Sequence, residues 1–162
     1  MEGKTAFSPS EVQTIPVPHR GDVFLGYSHM SGDPLSGGAA SESGWNVSAE
    51  KKLLRYFGAV ADFSGQSGTT TQRGFLFGLR GGTSIRRVRP FAQALFGAVQ
   101  LPESNHYASK PVTSFAEALG VGIDSPLTRL LSWRVEADNL MTSFDGHVRQ
   151  DLRLSIGPVL NF

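Results

Sequence analysis

Asp151-Leu152-Arg153-Leu154-Ser155-Ile156-Gly157-Pro158-Val159-Leu160-Asn161-Phe162 carries two interleaved messages. One alternate set reads Leu152, Leu154, Ile156, Pro158, Leu160 and Phe162; the other reads Asp151, Arg153, Ser155, Gly157, Val159 and Asn161. A helix would scatter the two sets around its circumference. An extended strand sends successive side chains to opposite faces, so the bulky apolar set shares one face and the small or polar set the other. The segment therefore reads as a strand between two unlike environments.

The same period runs through the chain. Phe57, Ala59, Ala61 and Phe63 alternate with Gly58, Val60, Asp62 and Ser64; Phe75, Phe77 and Leu79 with Gly74, Leu76, Gly78 and Arg80. Leu131, Trp133, Val135 and Ala137 alternate with Ser132, Arg134, Glu136 and Asp138. Val23, Leu25 and Tyr27 stand against Gly26 and Ser28, and Trp45, Val47 and Ala49 against Asn46, Ser48 and Glu50. Phe115, Leu119, Val121 and Ile123 oppose Ala116, Ala118, Gly120, Gly122 and Asp124. Between Val88 and Val99 the alternation is weak, and its phase rests on turning Gln93 inward. These segments predict eight strands, at about 22–31, 44–52, 55–64, 71–81, 87–99, 113–124, 129–141 and 150–162. No helical period separates them, so an antiparallel meander is expected rather than parallel crossovers. Short connections (Lys51–Arg55, Gly81–Arg87, Ser125–Arg129) alternate with longer polar ones (Ser31–Gly44, Gly65–Thr70, Gln100–Val112, Thr142–Arg149). Up-and-down topology puts the short turns and both termini at one end.

Composition limits the alternatives. The 162 residues suit one domain; 40% are hydrophobic and 18% charged, the reverse of a disordered chain. A net charge of +1 leaves no footprint for nucleic acid. With no Cys there is no disulfide, thiol nucleophile or Cys-based metal site. No run approaches the ~18 apolar residues of a spanning helix. Residues 1–20 lack the apolar core of a secretory signal, so no signal peptide is expected in them; a mature chain with its signal already removed would look the same.

The two faces decide the solvent. An eight-stranded barrel has an interior only just wide enough for side chains to fill. It cannot take Phe, Leu and Trp from every strand, but it can take Gly, Ala and Ser threaded with Glu50, Asp62, Arg80, Asp124, Arg134, Glu136 and Arg153. The bulky face, with Phe77, Val121, Val135, Leu154 and Ile156, then points out toward lipid, the pattern of a transmembrane β-barrel. Tyr27, Trp45, Phe63, Phe75 and Phe115 fall toward the long loops, and Phe57, Trp133 and Phe162 toward the short turns, which gives two aromatic bands. A soluble lipocalin-like carrier with a small-molecule lumen is the competing eight-stranded architecture.

The chain resembles the OmpA-like eight-stranded outer-membrane barrels, particularly the small stand-alone barrels of acidobacterial type. The resemblance spans about residues 22–162. It rests on Val23-Phe24-Leu25-Gly26-Tyr27-Ser28-His29, Gly58-Ala59-Val60-Ala61-Asp62-Phe63, Gly74-Phe75-Leu76-Phe77-Gly78-Leu79-Arg80, the stretch Val88 to Gly97, Gly120-Val121-Gly122-Ile123-Asp124, Arg134-Val135-Glu136 and Leu154 to Phe162. It implies a bacterial outer-membrane location and a lumen plugged by a salt-bridge network that Arg134 and Glu136 match; the inward phase of Arg80, Asp124 and Arg153 adds them to the expected network. It further implies that the terminal strand, ending in Phe162, is the signal for the barrel-assembly machinery. A structural or surface role follows, with no cofactor. The peptidoglycan-binding domain of larger relatives is not expected after Phe162.

Three features stand apart from that pattern. Residues 1–21 form a polar, proline-containing tail expected on the periplasmic side, where docking on a neighbouring copy would make a homo-oligomer. Pro90 and Pro158 fall inside strands and lack a ladder donor, so bulges or strand ends are expected there. Glu117 falls on the apolar face, which requires an outer-rim position or a slip in phase. Catalysis finds little support. His106 and His147 have Ser104 and Asp145 nearby in sequence, but polar loops carry such residues without a fixed geometry, and no metal motif is present. The long loops, 31–44 and 100–112, are the places where a surface partner would bind.

Overall fold

A computed structural model of the protein describes residues 20–32, 41–67, 72–101, 112–144 and 147–162. The eight strands are β1 (Gly21–Gly32), β2 (Ser41–Lys52), β3 (Phe57–Ser67), β4 (Gln72–Gly82), β5 (Arg89–Leu101), β6 (Val112–Pro126), β7 (Leu131–Phe144) and β8 (His147–Asn161). Each pairs antiparallel with the next, and β8 returns to β1, closing the barrel. There is no helix among the described residues.

Closure carries a stagger. The path Asp22, Glu50, Val60, Gly78, Leu95, Ala118, Leu140 and Asp151 follows paired residues from strand to strand and returns to β1 at Gly32. The path thus climbs ten residues in one circuit. Such a shear tilts the strands by roughly 35–45° from the barrel axis. It also sets heights: residues opposite one another in the ladder rise steadily from β1 round to β8.

The strands overrun the expected boundaries at the long-loop end. β2 begins at Ser41, β3 runs to Ser67, β7 to Phe144, and β8 starts at His147. The apolar alternation fades in these stretches, yet pairs such as Ser31 with Ser41 and Ser43 with Ser67 continue the ladder. Backbone pairing needs only a neighbouring strand, whereas apolar alternation also needs an apolar solvent. The extensions are therefore strand without belt.

Hydrogen bonds close the short turns tightly. The amides of Leu53 and Leu54 donate to the Phe57 carbonyl at 3.0 Å each, and those of Leu127 and Thr128 to the Leu131 carbonyl at 2.9 Å each. Ile85 and Val88 exchange backbone bonds of 2.9 and 3.1 Å around a two-residue loop in which Arg86 adopts φ = 56°. Left-handed backbone crowds a β-carbon against the following carbonyl, and glycine avoids that contact. Arg86→Gly is expected to stabilise the barrel by about 0.5–1 kcal/mol in equilibrium urea unfolding from lipid vesicles. A loss of stability would show that the Arg86 side chain offsets the strain.

The seam between β1 and β8 joins the two ends of the chain. Phe162 donates its amide to the Gly21 carbonyl at 3.0 Å, and its own carbonyl accepts from Arg20 and Gly21 at 2.6 and 3.0 Å. Pro90 sits at the start of β5, as expected. Pro158 lies well inside β8, and no bulge forms there: Phe24 pairs with Val159 and Tyr27 with Ile156 in one unbroken register. The ladder to β1 simply lapses beside it, because proline has no N–H to donate.

The barrel interior differs from the expected glycine, alanine and salt-bridge filling. Met30, Val60, Leu76, Leu95, Val99, Ala116, Ala118 and Leu140 form a buried apolar cluster, and Phe24, Phe91 and Val159 are also buried. Bulky residues fit because glycines face them. A β-carbon on Gly122 would lie 2.8 Å from Cε1 of Phe91, so the Phe91 ring occupies the space a side chain there would need.

Candidate functional site

The lumen holds the densest chemistry in the molecule, and cross-strand register builds it. Asp124 is paired with Arg134, Asp138 with Arg153, and Arg80 with Gln93, each pair on adjacent strands with both side chains inward. Cross-strand neighbours on one face lie within reach of each other, so alternation plus register is sufficient to bring these groups together.

Arg134 engages Asp124 through two nitrogens, Nε to Oδ1 at 2.6 Å and Nη2 to Oδ2 at 2.9 Å, and reaches across the lumen to Asp22 at 3.2 Å. Arg153 donates from Nε and Nη2 to Oδ2 of Asp138 at 3.1 and 2.8 Å, and from Nη1 to Asp62 at 2.9 Å. Arg80 donates to Gln93 Oε1 at 2.9 and 2.6 Å and lies 3.4 Å from Glu50 and 3.6 Å from Glu136. Gln93 passes the network on, donating to Asp138 at 2.7 Å, and Asn46 donates to Glu136 at 3.0 Å. Arg80 and Arg134 are 0% exposed and Arg153 1%. A guanidinium withdrawn this far from water requires carboxylates around it, because a lone buried charge costs several kcal/mol.

Two aromatic rings pack against the guanidiniums. The Phe91 ring lies 4.4 Å from the Arg80 guanidinium and 4.9 Å from that of Arg134, and Phe24 lies 5.2 Å from Arg134. The electron-rich face of an aromatic ring attracts a cation, and Phe91 lies within reach of two of them. At the turn-end mouth Arg89 meets Asp22, Asp124 and Glu50 at 3.6, 3.6 and 3.2 Å, and Lys52 pairs with Glu50.

The lumen is thus divided. The densest charged groups lie toward the turn end, and Arg153 on β8 carries the network upward, joining Asp138 on the neighbouring β7 to Asp62 on the facing β3. The apolar cluster packs mainly against β4–β7, where Leu95, Ala118 and Leu140 are direct ladder partners, with Met30 of β1 and Val60 of β3 completing it, and buried Glu42, Gln66, Gln72, Thr142 and Asp151 line the lumen nearer the long loops. All five residues singled out in the sequence for the lumen (Arg80, Asp124, Arg134, Glu136 and Arg153) point inward and join one network. The sequence reading did not single out Asp22, Arg89 or the two stacking rings. The signal was present in parity: Asp22 and Phe24 share the phase of Gly26, and Arg89 and Phe91 that of Gln93.

The outer face is the inverse. Phe77, Val121, Val135, Leu154 and Ile156 are 44–61% exposed, and the Val135–Ile156 ladder pair stands between the two aromatic levels. Tyr27 and Trp45 are ladder partners toward the loop end, as are Phe63 and Phe75; Trp45 and Phe63 rings are 5.8 Å apart. Phe57, Trp133 and Phe162 expose their rings toward the turn end. Glu117 points outward with no slip in phase, between Phe96 and Met141. The ten-residue stagger, shared over eight strands, puts Glu117 level with His29 and Asn139, above the apolar mid-height.

For catalysis, His29 binds Ser41 and Ser43 on the exposed loop-end face at 3.1 and 3.3 Å. Ser104, His106 and Asp145 lie outside the described residues, as does the His147 side chain. So do residues 1–19, the bulk of the expected tail, and 33–40 and 102–111 of the long loops. Among the described residues no group of His, Asp and Glu is arranged to hold a metal ion.

Solved structures share this geometry. The Neisserial surface protein A structure superposes with a TM-score of 0.67 at 14% identity, covering 88% of this chain and 96% of that one. The N-terminal barrel domain of Pseudomonas aeruginosa OprF gives 0.65 at 10% identity over 87% and 97%. This is the fold of the small eight-stranded outer-membrane barrels. A transmembrane β-barrel designed de novo also superposes on it, with a TM-score of 0.60 at 8% identity over 91% of this chain and 100% of that one. At these identities the shared property is the barrel fold itself. No family model and no curated protein matches the sequence.

Proposed function

We propose that the protein is a non-enzymatic barrel embedded in the bacterial outer membrane, with its lumen sealed and its role structural or at the cell surface. The carrying observation is the inverted distribution of side chains. Three arginines and their carboxylates are buried at the axis, while Phe77, Val121, Val135, Leu154 and Ile156 face outward among many other exposed Leu, Phe and Trp side chains. Soluble monomers rarely expose contiguous apolar patches beyond a few hundred Å². A girdle around the whole circumference finds its solvent in lipid. A lipocalin-like carrier requires the opposite arrangement, an apolar ligand cavity inside a polar wall.

The sealed lumen follows from its packing. An ion entering from the turn end meets Arg89 and the carboxylates clamped on Arg80 and Arg134. One entering from the loop end passes the buried Glu42, Gln66, Gln72, Thr142 and Asp151 and then meets the packed Leu76, Leu95 and Leu140 beside the Arg153 ion group, side chains that together fill the bore. Planar-bilayer recordings of the intact barrel are expected to show no stable open level; steady porin-like steps would defeat the sealed-lumen reading. Domain organisation follows the same reading, with a tail that ends where β1 begins at Gly21. Phe162, exposed and paired through its backbone to Gly21, is the feature that suits the assembly machinery.

A further inference from the structure

The turn end of the barrel is unlike an ordinary solvated rim. Its three short turns expose Leu53, Leu54, Ile85, Leu127 and Leu130, each half or more accessible. The same turns carry Arg55, Arg86, Arg87 and Arg129 and no acidic residue. Large aliphatics on a solvated turn would be unfavourable, whereas aliphatics with basic side chains among them match a phospholipid interface. There the chain enters the acyl region and the guanidinium reaches the phosphate.

One place on this rim is a shallow, open apolar depression of about 390 Å³, on the outer wall between the first two turns, lined by Tyr56, Phe57, Gly81, Thr83, Pro90 and Ala92. Phe57, Gly81 and Ala92 are consecutive ladder partners, and the two small members leave a recess beside the Phe57 ring. The flanking turns are tied together by the Gly82 amide, which donates to the Tyr56 carbonyl at 2.8 Å. That bond ties the turn bearing Arg55 to the start of the turn whose tip bears Arg86 and Arg87. Arg55 lies 5.3 Å from the Tyr56 ring, which leaves its charge at the edge of the depression. Arg89, the next cation along the chain, is committed to the lumen carboxylates.

We propose that this depression binds one anionic phospholipid of the membrane leaflet at the turn end, an acyl chain against Phe57, Gly81, Pro90 and Ala92 and the phosphate against Arg55, Arg86 and Arg87. The proposal rests on the membrane reading above. The occupant follows from charge complementarity: an apolar recess at belt height takes an acyl chain, and an acid-free arginine rim takes an anionic headgroup.

The test uses the full chain reconstituted in vesicles of brominated phosphatidylglycerol or brominated phosphatidylcholine at 0.15 M salt. Tyr56→Trp in a Trp45→Phe, Trp133→Phe background reports on the depression, and Trp45 alone, in a Trp133→Phe chain, reports on the belt at the far end. Quenching in the depression is expected to favour the anionic lipid about fivefold or more, with no preference at Trp45. Arg55→Gln, Arg86→Gln and Arg87→Gln together should bring the preference to one. Ala92→Phe, which fills the recess and keeps every arginine, should do the same. Equal quenching by the two lipids overturns the site and leaves the membrane reading standing. A preference that survives Ala92→Phe also overturns it, because the arginines then attract anionic lipid diffusely. Absence of quenching at both reporters removes the membrane reading and the site together.

Discussion

Replacing Arg153 with methionine is expected to destabilise the barrel by about 3–5 kcal/mol in reversible urea unfolding from lipid vesicles. The side chain is 1% exposed and holds Asp138 and Asp62, which stand on different walls. Methionine fills much of the same volume, so packing loss is minor. The main cost is two buried carboxylates left without their cation. Removing the carboxylates as well, in Arg153→Met with Asp62→Asn and Asp138→Asn, is expected to restore most of the lost stability, because a buried ion group exchanged whole for neutral groups costs far less than a broken one. A loss below about 1 kcal/mol for Arg153→Met would mean that water reaches the site and that the lumen is not sealed.

The second large effect lies on the opposite face. Ile156→Arg should destabilise by about 2–4 kcal/mol, the cost of a guanidinium near the bilayer midplane. Ile156 stands at mid-height, below the Tyr27–Trp45 and Phe63–Phe75 pairs and above Trp133 and Phe162. Leu160→Arg, nearer the turn end, is the internal control and should cost only about 0–1 kcal/mol, since its side chain can reach the headgroups. Equal costs at the two positions, or a negligible cost at Ile156, would contradict the assignment of this face to lipid.

Much of this architecture could be read from residue parity. Leu154, Ile156 and Phe77 on one phase, and Arg153, Arg80 and Arg134 on the other, are enough to say which face meets which solvent. Strand number and order followed, because short and long connections alternate. The extent of the strands was less visible. Around Ser43 and Ser67 both faces are polar, so alternation carries no signal although the ladder persists. The apolar part of the lumen was obscured for a different reason. Leu76, Leu95, Val99 and Leu140 share the inward phase, but inward Leu and Arg look incompatible until the stagger places them on different levels and walls. Height depends on shear, and shear is a property of closure that no single strand records. The pairing of Phe91 with two guanidiniums was hidden likewise, because its partners sit on strands β4 and β7.

The ion pairs of the lumen divide by distance along the chain. Asp124 with Arg134 and Asp138 with Arg153 are separated by ten and fifteen residues and need nothing more than a hairpin. Asp22 with Arg134 and Asp62 with Arg153 are 112 and 91 residues apart and exist only when the sheet has curled shut. Each of these arginines therefore has one partner within its own hairpin and one that only the closed barrel supplies. The long-range contacts work as a latch. An unclosed sheet leaves Arg134 and Arg153 half-coordinated and Asp22 and Asp62 without their cations, so a barrel lacking its final seam forfeits the contacts across the lumen together. Cooperativity of closure is in this way written into the charge pattern, over and above the backbone bonds that join Gly21 to Phe162.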